Sequence, residues 1–412
     1  MPEIDVSAGW TLGGLGAGLL AGLATGRWPG LAPLRAVVEP LGALWLKALE
    51  MTILPLVSAL LVVGIVQMMA AASAGRQAMR TLGWIFGIYF GSAILAAFAM
   101  PLLLDVWPVP VSAQGILAGG VPASGPVPGL GDFLLSLLPS NIFAAAASDA
   151  MLPCVAFFSL FGVAISRLPD ASRRQMTGLF EGLSGVMMVM IGWVLKLAPV
   201  GVFALSMNLA ARTGAAAIGV LAHYVVTVSI MGWAVLAAAP IVALVGARVA
   251  LGAYVRALVP VGAVAISTQS SLASLPAMLT ACRKLGIGSA SADFVLPLCV
   301  ALFRATGPAM NLAVAIYVAR LIGMPLSPAM LAAGVIVAAL TEVSSPSLPG
   351  AISFVSAVGP VALAMGVPIG PLALLVAVEM LPDITRTVGN VAMDVTVAAL
   401  IDRRRGQALG GS

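Results

Sequence analysis

Apolar stretches of about 20 residues, the length a bilayer requires, follow one another along the whole chain. They predict membrane helices near 9–26, 41–71, 80–104, 138–166, 176–207 and 216–247. The last third divides less cleanly, into 255–289, 291–322, 328–366 and 370–402. Against this background the run from Glu379 to Asp394 stands out. Glu379, Asp383, Arg386, Thr387, Asn390 and Asp394 recur at intervals of three and four, the spacing of one helix face, while Val388, Val391, Val395, Val397 and Leu400 point elsewhere. A charge at mid-membrane costs about 2.5–3.5 kcal/mol even on the lenient insertion scale. Three acids and an arginine on one stripe therefore point to use, and the direct use is to hold a charged solute.

Composition agrees. Of 412 residues, 61% are hydrophobic and 8% charged, and the mean hydropathy is +1.11. So few charges cannot cover a soluble protein of this size, and the sequence predicts one membrane unit over 1–412 without a soluble domain. The net charge of +5 is no nucleic-acid signal, because the basic residues sort by loop. With a cytoplasmic N-terminus, Arg76, Arg80, Arg167, Arg173, Arg174, Arg248, Arg256, Arg283, Lys284, Arg403, Arg404 and Arg405 face inward, and Arg27, Arg35, Arg212 and Arg320 outward. That asymmetry follows the positive-inside rule, provided that 255–289 and 328–366 each enter and leave on one side as re-entrant hairpins. Both termini are then cytoplasmic, and the start, MPEIDVSAGW, lacks the basic region of a cleaved signal peptide.

The two hairpins repeat a pattern. Ser270-Ser271-Leu272-Ala273-Ser274-Leu275-Pro276-Ala277 and Ser344-Ser345-Pro346-Ser347-Leu348-Pro349-Gly350-Ala351 each carry a serine pair and then Ser-Leu-Pro. Such residues break a helix and free backbone groups, which must lie in protein or line a cavity. A matched pair of interrupted segments points to a transporter binding site, and half-helix N-termini there favour an anion. A weaker echo, Leu54-Pro55-Leu56 and Ala198-Pro199-Val200, marks a candidate internal repeat. Cys154, Cys282 and Cys299 read as small buried hydrophobes. His223 reads as a packed or interfacial residue, with a proton relay as the alternative. The Pro- and Gly-rich 107–131 reads as an outward-facing loop.

At this point the chain resembles the dicarboxylate/amino acid:cation symporters, the glutamate transporter family, over nearly its whole length. LEMTILPLVSALLVV at 49–63 is similar to the family's second helix, LPSNIF at 138–143 with VAFFSLFGVAI at 155–165 to its fourth, and LAPVGVFAL at 197–205 to its fifth. STQSSLASLP at 267–276 and SLPGA at 347–351 resemble the hairpin tips, and DITRTVGNVAMD at 383–394 resembles the eighth helix. The resemblance implies an all-α polytopic membrane protein with eight transmembrane helices, two re-entrant helical hairpins and inverted repeats. It implies a homotrimer in the inner (plasma) membrane. A scaffold of about 9–71 and 138–207 would flank a transport part of about 80–104 and 216–402, which moves like an elevator.

By position, Arg386 would grip a side-chain carboxylate, sound chemistry for a guanidinium. Asp383 and Thr387 would take an ammonium group. Asn390 would bind the α-carboxylate with Ser270, Ser271 and the tip around Pro349 and Gly350. An acidic amino acid is the substrate this implies, with a C4-dicarboxylate as the alternative and an uncoupled channel or transporter-like receptor as a second class. No nucleophile–base pair suggests an enzyme, and no cofactor is expected.

The seventh helix departs from the family. An Asn-Met-Asp-Gly-Thr signature is replaced by Phe303-Arg304-Ala305-Thr306-Gly307, and a hairpin serine by Glu342. The lost residues are sodium ligands, oxygen donors for a hard cation. Asp394 remains as a possible sodium ligand, with Tyr89 and Ser92 as candidates on the third helix. Arg304 paired with Glu342 could stand where sodium normally does, or a proton on Glu342 or Asp394 could replace it; sodium against proton is left open.

Overall fold

In a computed structural model the described residues are 8–28, 32–73, 75–110, 135, 137–214, 216–343 and 351–409. They are helical with no strand among them. In chain order the helices are α1 (Ala8–Arg27), α2 (Ala32–Ala72), α3 (Arg76–Val106), α4 (Ile142–Ala147), α5 (Met151–Ser166), α6 (Asp170–Lys196), α7 (Ala198–Thr213) and α8 (Ala216–Val242). α9 (Leu251–Thr268), α10 (Leu275–Lys284), α11 (Ser289–Leu302), α12 (Gly307–Leu321), α13 (Pro328–Glu342), α14 (Ala351–Ala364), α15 (Gly370–Leu375) and α16 (Met380–Leu409) complete the chain.

Among the described residues seven stretches are long and apolar enough to cross a membrane: Pro33–Ala72, Arg76–Val106, Asp170–Lys196, Ala216–Ala247, Leu251–Thr268, Ser289–Leu321 and Met380–Arg403. Met151–Ser166 and Pro328–Glu342 are apolar but shorter. Large side chains such as Leu20, Val37, Leu44, Phe98, Leu102, Trp193 and Val259 are exposed on this surface. Side chains of that kind suit lipid. The protein is a multi-pass, all-α membrane protein.

Several expected continuous spans are broken. The stretch 176–207 divides at Leu197, because Pro199 sits in the first turn of α7, where its missing N–H costs nothing. The stretch 138–166 divides between α4 and α5, where Asp149 takes a left-handed φ of 54°. The stretch 291–322 breaks between Leu302 and Gly307, which is the segment where the sequence departs from its family. A buried tyrosine carries that break. The Tyr89 hydroxyl donates to the Leu302 carbonyl (2.6 Å) and accepts the Arg304 N–H (3.0 Å), so the freed backbone groups keep partners away from water.

Helices α9 and α10 pack on each other around the turn 269–274, and α13 and α14 pack on each other likewise. The second tip, with Pro349 and Gly350, lies outside the described residues. Helices α1, α2, α5, α6 and α7 pack among themselves, and α3 packs with α8, α12 and α13. The two innermost helices are α12 and α16, buried almost all round. Tyr254 ties the hairpin arm α9 to α16 by donating to the Ala392 carbonyl at 2.8 Å.

The contact of α1 with α7 uses a signal that hydropathy does not weigh. A Cβ on Gly14, Gly18 or Gly22 would overlap the α7 backbone at Pro199, Phe203 and Met207 respectively. Glycines four apart let two helix backbones meet directly, the common solution where lipid offers no hydrophobic driving force.

Candidate functional site

The site is built around Arg386, 9% exposed, on the second turn of α16. Each of its guanidinium nitrogens faces an acceptor. Nη2 donates to Glu379 Oε1 at 2.9 Å and Nη1 to Asn311 Oδ1 at 2.9 Å, while Nε lies 3.4 Å from Asp383 Oδ1. Glu379 is fixed from its other side by the Tyr224 hydroxyl, which donates to Oε2 at 2.8 Å. Asn311 passes the chain on: its Nδ2 donates to Glu342 Oε2 at 2.8 Å. Residues from α8, α12, α13 and α16 thus converge on one buried cation.

Local sequence explains the convergence. Glu379 immediately precedes α16 and continues its hydrogen-bond pattern, its carbonyl accepting the Asp383 N–H at 3.0 Å, so its side chain shares the face of Asp383 and Arg386. The stripe has two ends. Glu379, Asp383 and Arg386 gather at the start of α16, while Asp394 lies two turns beyond Arg386, about 12 Å at 1.5 Å per residue. Asp394 is fully buried, and among the described residues neither carboxylate oxygen has a hydrogen-bond partner.

Asn390 is held by the helix break. Its Oδ1 accepts both the Thr306 N–H (3.0 Å) and the Thr306 hydroxyl (2.7 Å). The Thr306 hydroxyl also lies 3.0 Å from the Arg386 carbonyl. That leaves the amide Nδ2 of Asn390 as its donor toward a ligand. The Thr387 hydroxyl donates to the Asp383 carbonyl at 3.0 Å, which fixes its rotamer and keeps its lone pairs for a donor.

Glu342 ends α13, 1% exposed. Its carboxyl lies so close to Gly307 that a Cβ there would overlap it. It thus packs on the N-terminal end of α12, where the helix dipole favours an anion. The Arg304 guanidinium is within electrostatic reach of Glu342, Asp383 and Asp394. Both residues of the expected pair are therefore at one junction.

Ser270 and Ser271 are placed differently. They sit half-buried in the turn between α9 and α10, where Ser270 Oγ accepts the Ala273 N–H at 3.2 Å and the Ser270 carbonyl accepts the Ser274 hydroxyl at 2.9 Å. No hydrogen bond joins either serine to Arg386 or Asn390 among the described residues.

Asn311, Tyr224 and the clamping role of Glu379 were missed by sequence reasoning. Asn311 had a legible signal, a lone amide in the apolar run GPAMNLAVAI at 307–316, and it is fully buried. Such residues inside a membrane are by default functional. The three cysteines are buried and free, and His223 is packed between the Trp107 carbonyl (3.2 Å) and the Tyr317 hydroxyl (3.3 Å). Among the described residues no group of three or more His, Cys, Asp or Glu could hold a metal ion.

A polytopic helical protein with a buried arginine clamp on a broken-helix core is a membrane carrier in class. The chain belongs to the sodium:dicarboxylate symporter family, whose model it matches over residues 8–404. It is 28% identical over 381 residues to the proton/glutamate-aspartate symporter of Escherichia coli (strain K12), covering 89% of this chain and 84% of that protein. It is 27% identical over 423 residues to C4-dicarboxylate transport protein 3 of Ralstonia nicotianae, covering 97% and 92%. It is 25% identical over 403 residues to the proton/sodium-glutamate symport protein of Bacillus subtilis (strain 168), covering 94% and 91%. The family is one of transporters, not an enzyme class.

Proposed function

We propose that this protein is a secondary active symporter that carries aspartate or glutamate across the inner membrane. The carrying observation is the Arg386 guanidinium, buried and flanked by Asp383 and Glu379 within 3.4 Å and 2.9 Å. An acid and a guanidinium side by side match a solute that bears both an ammonium group and carboxylates. The substrate's side-chain carboxylate takes Arg386 by two parallel bonds, in exchange for the internal carboxylate contacts. Asp383 and Thr387 receive the ammonium group, and Asn390 Nδ2 donates to the α-carboxylate. Ser270, Ser271, Pro349 and Gly350 complete the site when the hairpin tips close over it. The names of the E. coli and B. subtilis relatives support this reading.

A C4-dicarboxylate carrier is the second reading, favoured by the R. nicotianae relative. Succinate has no ammonium group and would leave Asp383 facing a second anion. Competition for aspartate uptake in proteoliposomes separates the two: aspartate and glutamate compete far better than succinate, and equal competition refutes the role of Asp383. Accumulation against a gradient separates a symporter from an uncoupled channel or a transporter-like receptor.

For coupling, the reading assigns the Arg304–Glu342 junction as a fixed internal charge pair in place of a bound sodium ion. Asp394, buried and without hydrogen-bond partners among the described residues, is the site of the remaining coupling ion, sodium or a proton. Uptake driven by imposed sodium or proton gradients tests this; accumulation with a steep sodium dependence would sink the internal-pair assignment. The moving part comprises 80–104 and 216–402 against a trimeric scaffold of 9–71 and 138–207, with both termini cytoplasmic. Crosslinks between cysteine pairs on α2 and α14 that form in one state and not the other test the elevator motion.

A further inference from the structure

A cavity of about 320 Å³ lies far from the Arg386 clamp, where the α8–α9 connection, the α10–α11 connection and the second half of α16 meet. Its lining carries three cations, Arg248, Lys284 and Arg403, and one carboxylate, Asp402. Two of these four are already committed. Arg403 Nη1 donates to the Gly246 carbonyl at 2.5 Å. The Asp402 carboxylate stands against the backbone at Gly288, 3.0 Å from where a Cβ would lie, and so at the N-terminal end of α11, which offsets its charge. Arg248 and Lys284 are exposed, and neither makes a side-chain hydrogen bond or ion pair among the described residues. The backbone at Arg248 is left-handed, φ 56° and ψ 33°, a conformation a non-glycine residue adopts at a cost, and it places the side chain on the cavity wall.

Exposed apolar residues flank this lining along the chain: Leu244 and Val245, in the helical turn Ala243–Ala247 that follows α8, and Leu251 and Val255, on the first turns of α9, are exposed at 45%, 74%, 51% and 49%. A basic hollow beside exposed apolar helix surface, at the end of apolar spans, has the chemistry of an amphiphile with an anionic head. Basic pockets between membrane helices bind phosphate head groups in this way. A free phosphate or nucleotide would use the hollow and gain nothing from the apolar flank.

We propose that this cavity binds the phosphate head group of an anionic phospholipid, with Arg248 and Lys284 on the phosphate and an acyl chain along Leu244, Val245, Leu251 and Val255. The site needs the chain to be membrane-embedded and does not depend on the substrate assignment.

The test is thermal stability of the purified, delipidated full-length protein, titrated separately with phosphatidylglycerol, phosphatidylcholine and inorganic phosphate. Phosphatidylglycerol stabilises saturably and phosphatidylcholine does not. Each removed charge weakens the lipid by about fivefold, so the double variant Arg248→Gln/Lys284→Gln weakens it by roughly thirtyfold. A control double variant, Arg167→Gln/Arg174→Gln, removes two exposed basic residues elsewhere and retains wild-type lipid affinity. All four side chains are exposed, so folding is preserved, and an unchanged melting temperature of each delipidated variant without added lipid verifies it. Equal stabilisation by inorganic phosphate would replace the lipid with a free phosphate and overturn the proposal. So would an equal response to phosphatidylcholine, or equal weakening in the two double variants.

Discussion

Asn311→Ala is the most direct test of the buried network. The amide is completely buried and bridges two charged groups, accepting from Arg386 Nη1 at 2.9 Å and donating to Glu342 Oε2 at 2.8 Å. Hydrogen bonds to charged groups are worth about 1.5–3 kcal/mol each, and a buried partner left unpaired costs a comparable amount. Losing both bridges therefore destabilises the fold by about 3–6 kcal/mol, less whatever a water in the new space restores. The Arg386 half of that loss falls on the substrate site, since an arginine no longer held by Asn311 must be re-ordered on binding. At 1.4 kcal/mol per tenfold, about 1.5–3 kcal/mol corresponds to a loss of aspartate affinity of roughly 10- to 150-fold. The assay is thermal denaturation of the purified protein across an aspartate titration, because ligand stabilisation reports the dissociation constant. Asn311→Gln keeps both chemical groups on a longer stem and falls between wild type and Asn311→Ala. Wild-type melting and aspartate affinity within twofold of wild type in Asn311→Ala would refute the reasoning, since the network would then carry no energy.

Other outcomes follow from the same geometry. Arg386→Ala removes the charge-assisted pair and lowers the affinity for acidic amino acids by several kcal/mol, with much less effect on neutral ones; surviving aspartate binding would defeat the substrate assignment. Gly307→Ala places a methyl group in the Glu342 carboxyl and so displaces it from Asn311; proteoliposome uptake shows an altered cation dependence, whereas unchanged coupling would remove Glu342 from the mechanism. Tyr89→Phe strips two hydrogen bonds from the break between α11 and α12 and costs about 1–3 kcal/mol of stability in chemical denaturation. Gly18→Leu forces α1 away from the α7 backbone and destabilises the protein strongly in the same assay, while Gly13→Leu, with open space around it, does not.

The stripe from Glu379 to Asp394 shows how far local reasoning reaches. Its residue types and three-to-four spacing were enough to identify a costly polar face in a lipid-adapted chain, and Arg386 is the centre of a buried hydrogen-bond network. Spacing could not show that Asn311 and Tyr224 would reach Arg386 and Glu379 from other helices. The serine pair at Ser270 and Ser271 was legible as a helix breaker, and the turn is there.

The sequence alone determined the membrane class, since twenty-residue apolar runs and 8% charged residues leave no other solvent for the surface. It also showed where charges interrupt the apolar runs of the last third, at Arg304, at Glu342 and along Glu379 to Asp394. Tertiary structure decided which of those charges meet. Asn311 and Glu342 are 31 residues apart, Asn311 and Arg386 75, and Tyr224 and Glu379 155. Contacts at such separations are set by the packing of α8, α12, α13 and α16 around one another, and local periodicity does not encode them. The physical reason is the absence of water: the buried groups of the clamp take partners on other helices, and the packing that brings those helices together fixes it.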